Sequence, residues 1–189
     1  MSISVRHGIL AQELAIRSLF WEVENSIDSS MSMISPPTVP LDRRQSPTAL
    51  AVARGTQRLL LTLGLSCVAE LPLVSGRRAD LVGLGGDGEI WIVEIKSSAA
   101  DLRADQKWND YRSHCDRLFF ATTREVPCEL FPRDAGLIVA DAYGAWIIGE
   151  APEHRLPAAT RRSMTLAFAR AAALRLSALA DPAGMHGQS

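Results

Sequence analysis

Residues 77–98 read Arg-Arg-Ala-Asp-Leu-Val-Gly-Leu-Gly-Gly-Asp-Gly-Glu-Ile-Trp-Ile-Val-Glu-Ile-Lys-Ser-Ser. Two apolar runs, Ala79 to Leu84 and Ile90 to Ile95, flank Gly85-Gly86-Asp87-Gly88. That cluster tolerates the positive φ of a tight turn, so the stretch predicts an antiparallel hairpin. The second strand is apolar at Ile90, Trp91, Ile92, Val93 and Ile95, which predicts cover on both faces and a central place in the sheet. Yet it carries Glu94 and Lys96, which by strand alternation share a face with Ile90 and Ile92. Asp80 sits among apolar residues on the partner strand. Burying charge costs several kcal/mol per ion unless it is paired or bound to metal. Either Glu94 and Lys96 make a structural contact with Asp80 solvated near a sheet edge, or the three form a site.

Asp80 precedes Glu94 by 14 residues, and Lys96 follows two later. That order resembles the PD-(D/E)XK nuclease motif. The resemblance extends to Gly55-Thr56-Gln57-Arg58-Leu59-Leu60, Gly76-Arg77-Arg78-Ala79-Asp80, Ile90 to Ser98, Lys107-Trp108, Tyr111, Cys115-Asp116-Arg117-Leu118 and Gly136 to Gly144. On these residues, positions from about 48 to 176 resemble the MmcB family of bacterial DNA repair proteins, taken to be endonucleases.

Paired carboxylates on a hairpin are hard oxygen donors suited to Mg²⁺ or Mn²⁺. The resemblance implies that Asp80 and Glu94 are the ligands, that the Ile95 backbone carbonyl completes the set, and that Lys96 stands beside the attacking water. DNA is the implied substrate. Ala79 replaces the usual proline before the first acid, which bears on loop stiffness more than on chemistry. Gln57-Arg58 stands where junction-resolving relatives have Glu-Arg, so Gln57 is either a weak neutral ligand or a helix-surface residue.

The 189 residues carry a formal net charge of −1, which gives no general attraction to phosphates. DNA contact then requires a local basic patch or a partner, such as other DNA repair proteins. Cys67, Cys115 and Cys128 are scattered, with no CxxC pair, which argues for reduced thiols in a cytoplasm over disulfides or zinc. No apolar run approaches the roughly 20 residues that span a bilayer. A soluble cytoplasmic protein without membrane contact is expected.

Residues 1–25 hold an amphipathic stretch, 9–24, and residues 26–47 a flexible Pro/Ser-rich linker. The first segment reads as a start-site extension, with Met31 or Met33 the true beginning, or as a tethered partner-binding helix. Residues 48–180 form the nuclease-like domain, and 181–189 a disordered tail. Within the domain a helix capped by Thr48 precedes a strand at Cys67–Val74 and the hairpin. A helix over about 101–113 follows, capped by Ser98 or Asp101. A strand at Leu118–Ala121 and a hairpin of Leu137–Ala140 with Ala145–Ile148 come next. A helix over Pro157–Leu179 ends the domain, its apolar stripe including Met164, Phe168 and Leu174. The fold class is α/β, a small mixed sheet flanked by helices in αβββαβ order with an appended hairpin and helix. This agrees with the restriction-endonuclease-like core that the resemblance implies.

Arg103, Lys107 and Tyr111 lie four apart and so share one face of the 101–113 helix. With Arg58 and Arg78 they are candidate DNA contacts, although Asp101, Asp105, Asp110 and Asp116 interleave with them. Gln106 and Tyr111 echo a Gln and Tyr that many relatives carry there. Arg161, Arg162, Arg170 and Arg175 make either a DNA-facing stripe or a solvated face. His7, His114, His154 and His186 show no ligand spacing, and Ser97 and Ser98 suit capping rather than nucleophilic attack. The expected function is a metal-dependent DNA endonuclease of bacterial DNA repair. The alternatives are a DNA-binding accessory that keeps the fold without cutting, and a protein-interaction module.

Overall fold

The computed structural model describes residues 46–105 and 108–182. The chain divides into two units, 1–38 and 39–189, and every described residue belongs to the second. The expected helix at 9–24, the linker up to 45, Gln106, Lys107, and the tail beyond 182 lie outside the described residues.

Helix α1 spans Pro47–Thr62. Its cap is Ser46, two residues earlier than the predicted Thr48, with Oγ accepting from the Ala49 N–H at 3.1 Å. The proline decides this. A residue before proline is pushed to extended φ/ψ, and proline fits the first helical position, where no N–H is needed. Gly64, at φ +79, follows the helix end. Strands β1 (Ser66–Pro72), β2 (Arg78–Leu84) and β3 (Ile90–Ile95) come next. After them lie α2 (Ala99–Ala104), a 3-10 turn at Trp108–His114, β4 (Arg117–Thr122) and a second 3-10 turn at Cys128–Leu130. Strands β5 (Gly136–Ala140) and β6 (Ala145–Gly149) precede helix α3 (Ala158–Ala180).

The six strands form one mixed sheet in the order β1-β2-β3-β4-β5-β6. β3, β4 and β5 run parallel, and the remaining pairings are antiparallel. The parallel strands are covered on both faces, as their unbroken apolar runs require. Phe119 and Phe120 are fully buried on opposite faces of β4. On one face α1 sets Val52, Ala53 and Leu60 over Leu81, Val93 and Ile138. On the other, Leu102, Tyr111, Met164 and Phe168 pack over Ile90, Ile92 and Leu118.

The predicted helix over 101–113 is two pieces. α2 starts from the Ser98 cap, whose Oγ accepts from the Asp101 N–H, and stops at Asp105. The chain resumes as the 3-10 turn, where residues three apart eclipse one another, so Trp108 and Tyr111 both face the core. In α3 the buried stripe is narrower than its periodicity suggests. Met164 and Phe168 are buried, whereas Leu174 is 56% exposed. Asp116 is a buried anchor rather than part of a solvated helix face. Its carboxylate accepts from the N–H groups of Ile90 (2.8 Å) and Leu156 (2.9 Å) and from both ends of the Arg161 fork. Arg161 therefore leaves the expected DNA-facing stripe, and Arg175 donates to the Glu70 carbonyl. Cys67, Cys115 and Cys128 are free thiols. No helix among the described residues is long and apolar enough to cross a membrane.

Candidate metal centre

The β2–β3 ladder makes its last regular pair between Leu81 and Val93. One step further, alternation sets Asp80 opposite Glu94, both on the sheet face of Val82 and Ile92. Side chains take over the ladder here. The Asp80 N–H donates to Glu94 Oε1 at 3.2 Å, and the Ile95 N–H donates to Asp80 Oδ2 at 2.8 Å. β3 meanwhile stays locked to β4, with Lys96 N–H on the Ala121 carbonyl at 2.9 Å and Thr122 Oγ1 on the Lys96 carbonyl at 2.7 Å. β2 thus parts from β3 at the two acids. The opening is a cleft of about 610 Å³ lined by Asp80, Glu94, Ile95, Lys96, Arg77 and Tyr111, among others.

Glu94 is 3% exposed. Its carboxyl is pushed up to about 8, first by burial and then by the charge of Asp80 across from it. Burial also raises Asp80, against the opposing pull of the Ile95 N–H and Lys96. Tyr111 donates to the Arg78 carbonyl at 3.3 Å, and burial with the nearby Glu94 and Asp80 charges raises its hydroxyl. Lys96 is buried too, and its ammonium lies 2.7 Å from Asp105 Oδ2. Burial alone would lower its pKa. The hydrogen bond and charge of Asp105, with the charge of Glu94, outweigh that, and the net shift is upward. The ion-pair partner of Lys96 is therefore Asp105, and Glu94, the partner in the alternative structural reading, acts on it only through its charge.

Asp101 and Asp105 join the cleft as acids that the sequence reading treated as balancing charge on a helix face. The signal was the Ser98 cap. A helix starting directly after β3 must turn its first acids back over the strand end, and Asp101 indeed accepts from the Ser97 N–H at 3.1 Å. Arg77, missing from the predicted contacts, is held at the rim by Asp110 at 2.9 Å.

The other candidates divide. Arg78 lines the cleft and pairs with Glu70 at 2.9 Å. Gln57 does not line it. α1 reaches the cleft with Ser46 and Ala49, and Gln57 lies about 12 Å further along the helix axis. Arg58 is committed elsewhere, donating to the carbonyls of Ala142 (2.6 Å) and Tyr143 (3.0 Å). Tyr111 is buried beneath Arg77 and beside the acids, so it is not a stacking platform. Arg103 is exposed on α2 outside the cleft lining, and Lys107 lies outside the described residues. No three His, Cys, Asp or Glu side chains among the described residues gather into a metal-binding group. The centre offers two carboxylates and the main chain at Ile95.

Residues 36–183 match the family described as DNA repair protein MmcB-like. The chain belongs to this family. The resemblance read from residues 48–176 therefore holds, and the family is one of DNA repair. The SPO1766 protein of unknown function from Silicibacter pomeroyi is similar at 45% identity and a TM-score of 0.70, over 79% of this chain and 98% of that one. A repair endonuclease from Pyrococcus abyssi is similar at 18% identity and a TM-score of 0.29, over 44% of this chain and 40% of that one. A likeness that slight carries no inference. No curated protein matches the chain.

Proposed function

We propose that this chain is a metal-dependent DNA endonuclease acting in DNA repair, built on a PD-(D/E)XK core. The observation that carries the reading is the facing pair Asp80–Glu94 at an opened ladder, with Lys96 at the strand end beside it. A Mg²⁺ or Mn²⁺ ion suits this donor set. Burial raises the pKa of both carboxyls and the charge of Asp80 raises Glu94 further, and a hard divalent cation between them is the partner that favours both ionised forms. Asp80, Glu94 and the Ile95 carbonyl would hold it. When bound, such an ion polarises the scissile phosphate, lowers the pKa of a water and stabilises the leaving oxygen.

The remaining chemistry belongs to the chain's own residues. Asp105 keeps Lys96 cationic despite its burial, so Lys96 brings a fixed positive charge to the cleft. That charge orients a nucleophilic water and offsets negative charge developing on the phosphate. Arg77 and Arg78 on the cleft lining supply donors for flanking DNA phosphates.

The test is cleavage of single-stranded, duplex, flap, fork and junction DNA by the full chain with Mg²⁺ or Mn²⁺. At least one substrate should be cut, and the Asp80→Asn variant should not cut it. DNA that is bound but never cut would leave a non-catalytic repair accessory instead.

A further inference from the structure

We infer that the β5–β6 turn and the Arg124–Trp146 pair form a stacking subsite for the unpaired bases of a single-stranded nucleic acid. The inference rests on the reading of this chain as one that handles DNA. Strands β3, β4 and β5 are parallel, so Lys96, Thr123 and Asp141 emerge at one edge of the sheet. β5 stands two strand spacings from β3, about 10 Å, which is the rise of about three stacked nucleotides. A second depression, of about 680 Å³, lies at this edge between α1 and the ends of β4 and β5, with Arg124 and Asp141 on its lining. The first turn of α1 touches both hollows, Ala49 lining the acidic cleft and Thr48 the second depression. They are therefore neighbours along one path.

Tyr143 stands at the tip of the β5–β6 turn and is 85% exposed. Its backbone is braced from three directions. Asp141 Oδ1 accepts from the N–H groups of Tyr143 (2.7 Å) and Gly144 (2.9 Å). Arg58 donates to the carbonyls of Ala142 and Tyr143. Gly55 lets α1 approach so closely that a Cβ there would lie 2.2 Å from the Asp141 carbonyl oxygen. An aromatic ring held out on a fixed backbone loses little further freedom on binding. Beside it the exposed Arg124 places its guanidinium 5.9 Å from the centroid of the Trp146 ring. Two acids share the lining of this depression, Asp141 bonded to the turn's N–H groups and the exposed Glu125 bonded to Thr123. Aromatic rings with arginine beside a phosphate-cleaving site match a strand whose base faces are free, whereas duplex DNA keeps its base faces stacked.

Fluorescence anisotropy tests this with the full chain in EDTA, using labelled oligothymidylate of about 12 nucleotides and a duplex of the same length. Tyr143→Ala should weaken single-strand binding by roughly 5- to 100-fold while changing duplex binding less than about twofold. Tyr143→Phe should bind as the parent does. Arg124→Ala should weaken binding and reduce the salt slope by about one. Three outcomes overturn the subsite: no single-strand binding by the parent chain, unchanged affinity in Tyr143→Ala, or equal losses on both DNAs. Unchanged affinity would leave the turn as a protein-docking feature, and equal losses would make it a contact that does not read unpaired bases. DNA cleavage with unchanged affinity in Tyr143→Ala removes the subsite and keeps the nuclease. Tyr143-dependent binding in a chain that cuts nothing does the reverse.

Discussion

Asp80 and Glu94 face each other across the β2–β3 ladder at the step where backbone pairing stops, and their carboxylates accept from the N–H groups of Ile95 and Asp80. One device therefore serves two ends. It satisfies backbone donors that would otherwise be buried without partners, and it parts the strands so that the acids line a cleft. The arrangement holds two like charges close together in a buried place, an expensive combination without a cation.

If that cation contributes several kcal/mol to the transition state, Asp80→Asn or Glu94→Gln should lower cleavage by about 10² or more. Lys96→Ala should do likewise with DNA affinity almost intact, because its ammonium acts on charge that develops during the reaction. Single-turnover cleavage alongside a binding isotherm measures both. Undiminished cleavage in Lys96→Ala would remove it from the mechanism.

The Lys96–Asp105 pair makes a separate, structural prediction. Asp105→Asn deprives a buried ammonium of its 2.7 Å partner and should cost about 3 kcal/mol of stability. Lys96→Met with Asp105→Asn should recover most of that loss, since the uncompensated charge is gone. Urea unfolding of the two single variants and the double variant gives the coupling. Additive losses would mean that the contact contributes little in solution.

The hairpin was legible because glycine spacing and apolar runs are local signals, and β2 and β3 form within a residue of their expected bounds. What escaped the sequence was long-range. Nothing near Arg58 announces that its guanidinium crosses to Ala142 and Tyr143, 84 and 85 residues away. Asp116 looked like one more surface acid because its partners, Leu156 and Arg161, are 40 and 45 residues on. The 101–113 helix failed for a nearer reason. Its four-residue spacing of Arg103, Lys107 and Tyr111 fits a helix, but the ion pair at Asp105 and the eclipsed Trp108 and Tyr111 favour a break.

Asp116 also carries an acid-stability prediction. Burial works to raise its pKa, but the Arg161 fork and the N–H groups of Leu156 and Ile90 outweigh it, and the folded value is lowered from the ordinary 3.8. The native state therefore holds its proton less tightly than the unfolded chain does. The stabilisation is fully present above about pH 4 and is lost as pH falls through the folded value. Asp116→Asn should cost about 2–4 kcal/mol at neutral pH, and less as the pH falls below 4. Melting temperatures from pH 7 down to pH 2 would show the two curves converging. Parallel curves would mean that Asp116 is not charged in the native state.

The metal reading and a purely structural reading of Glu94 predict opposite signs, and no DNA is needed to separate them. The folded pKa of Glu94 is raised from 4.5 to about 8, so the metal-free native state binds its proton more tightly than the unfolded chain does. Its contribution to stability therefore declines as pH rises from about 4.5 to about 8. Glu94→Gln mimics the protonated acid, so metal-free stability should be unchanged or slightly higher at neutral pH, and the decline should disappear. Millimolar Mn²⁺ should stabilise the parent chain by about 2.7 kcal/mol at a hundredfold excess over its dissociation constant. The Gln variant should lose most of that gain. If Glu94 is instead a necessary buried partner for Lys96, its removal should cost about 3–5 kcal/mol without metal. Thermal melts of both chains, with EDTA and with Mn²⁺, read all four states. A large metal-free loss with no Mn²⁺ response would sink the metal centre.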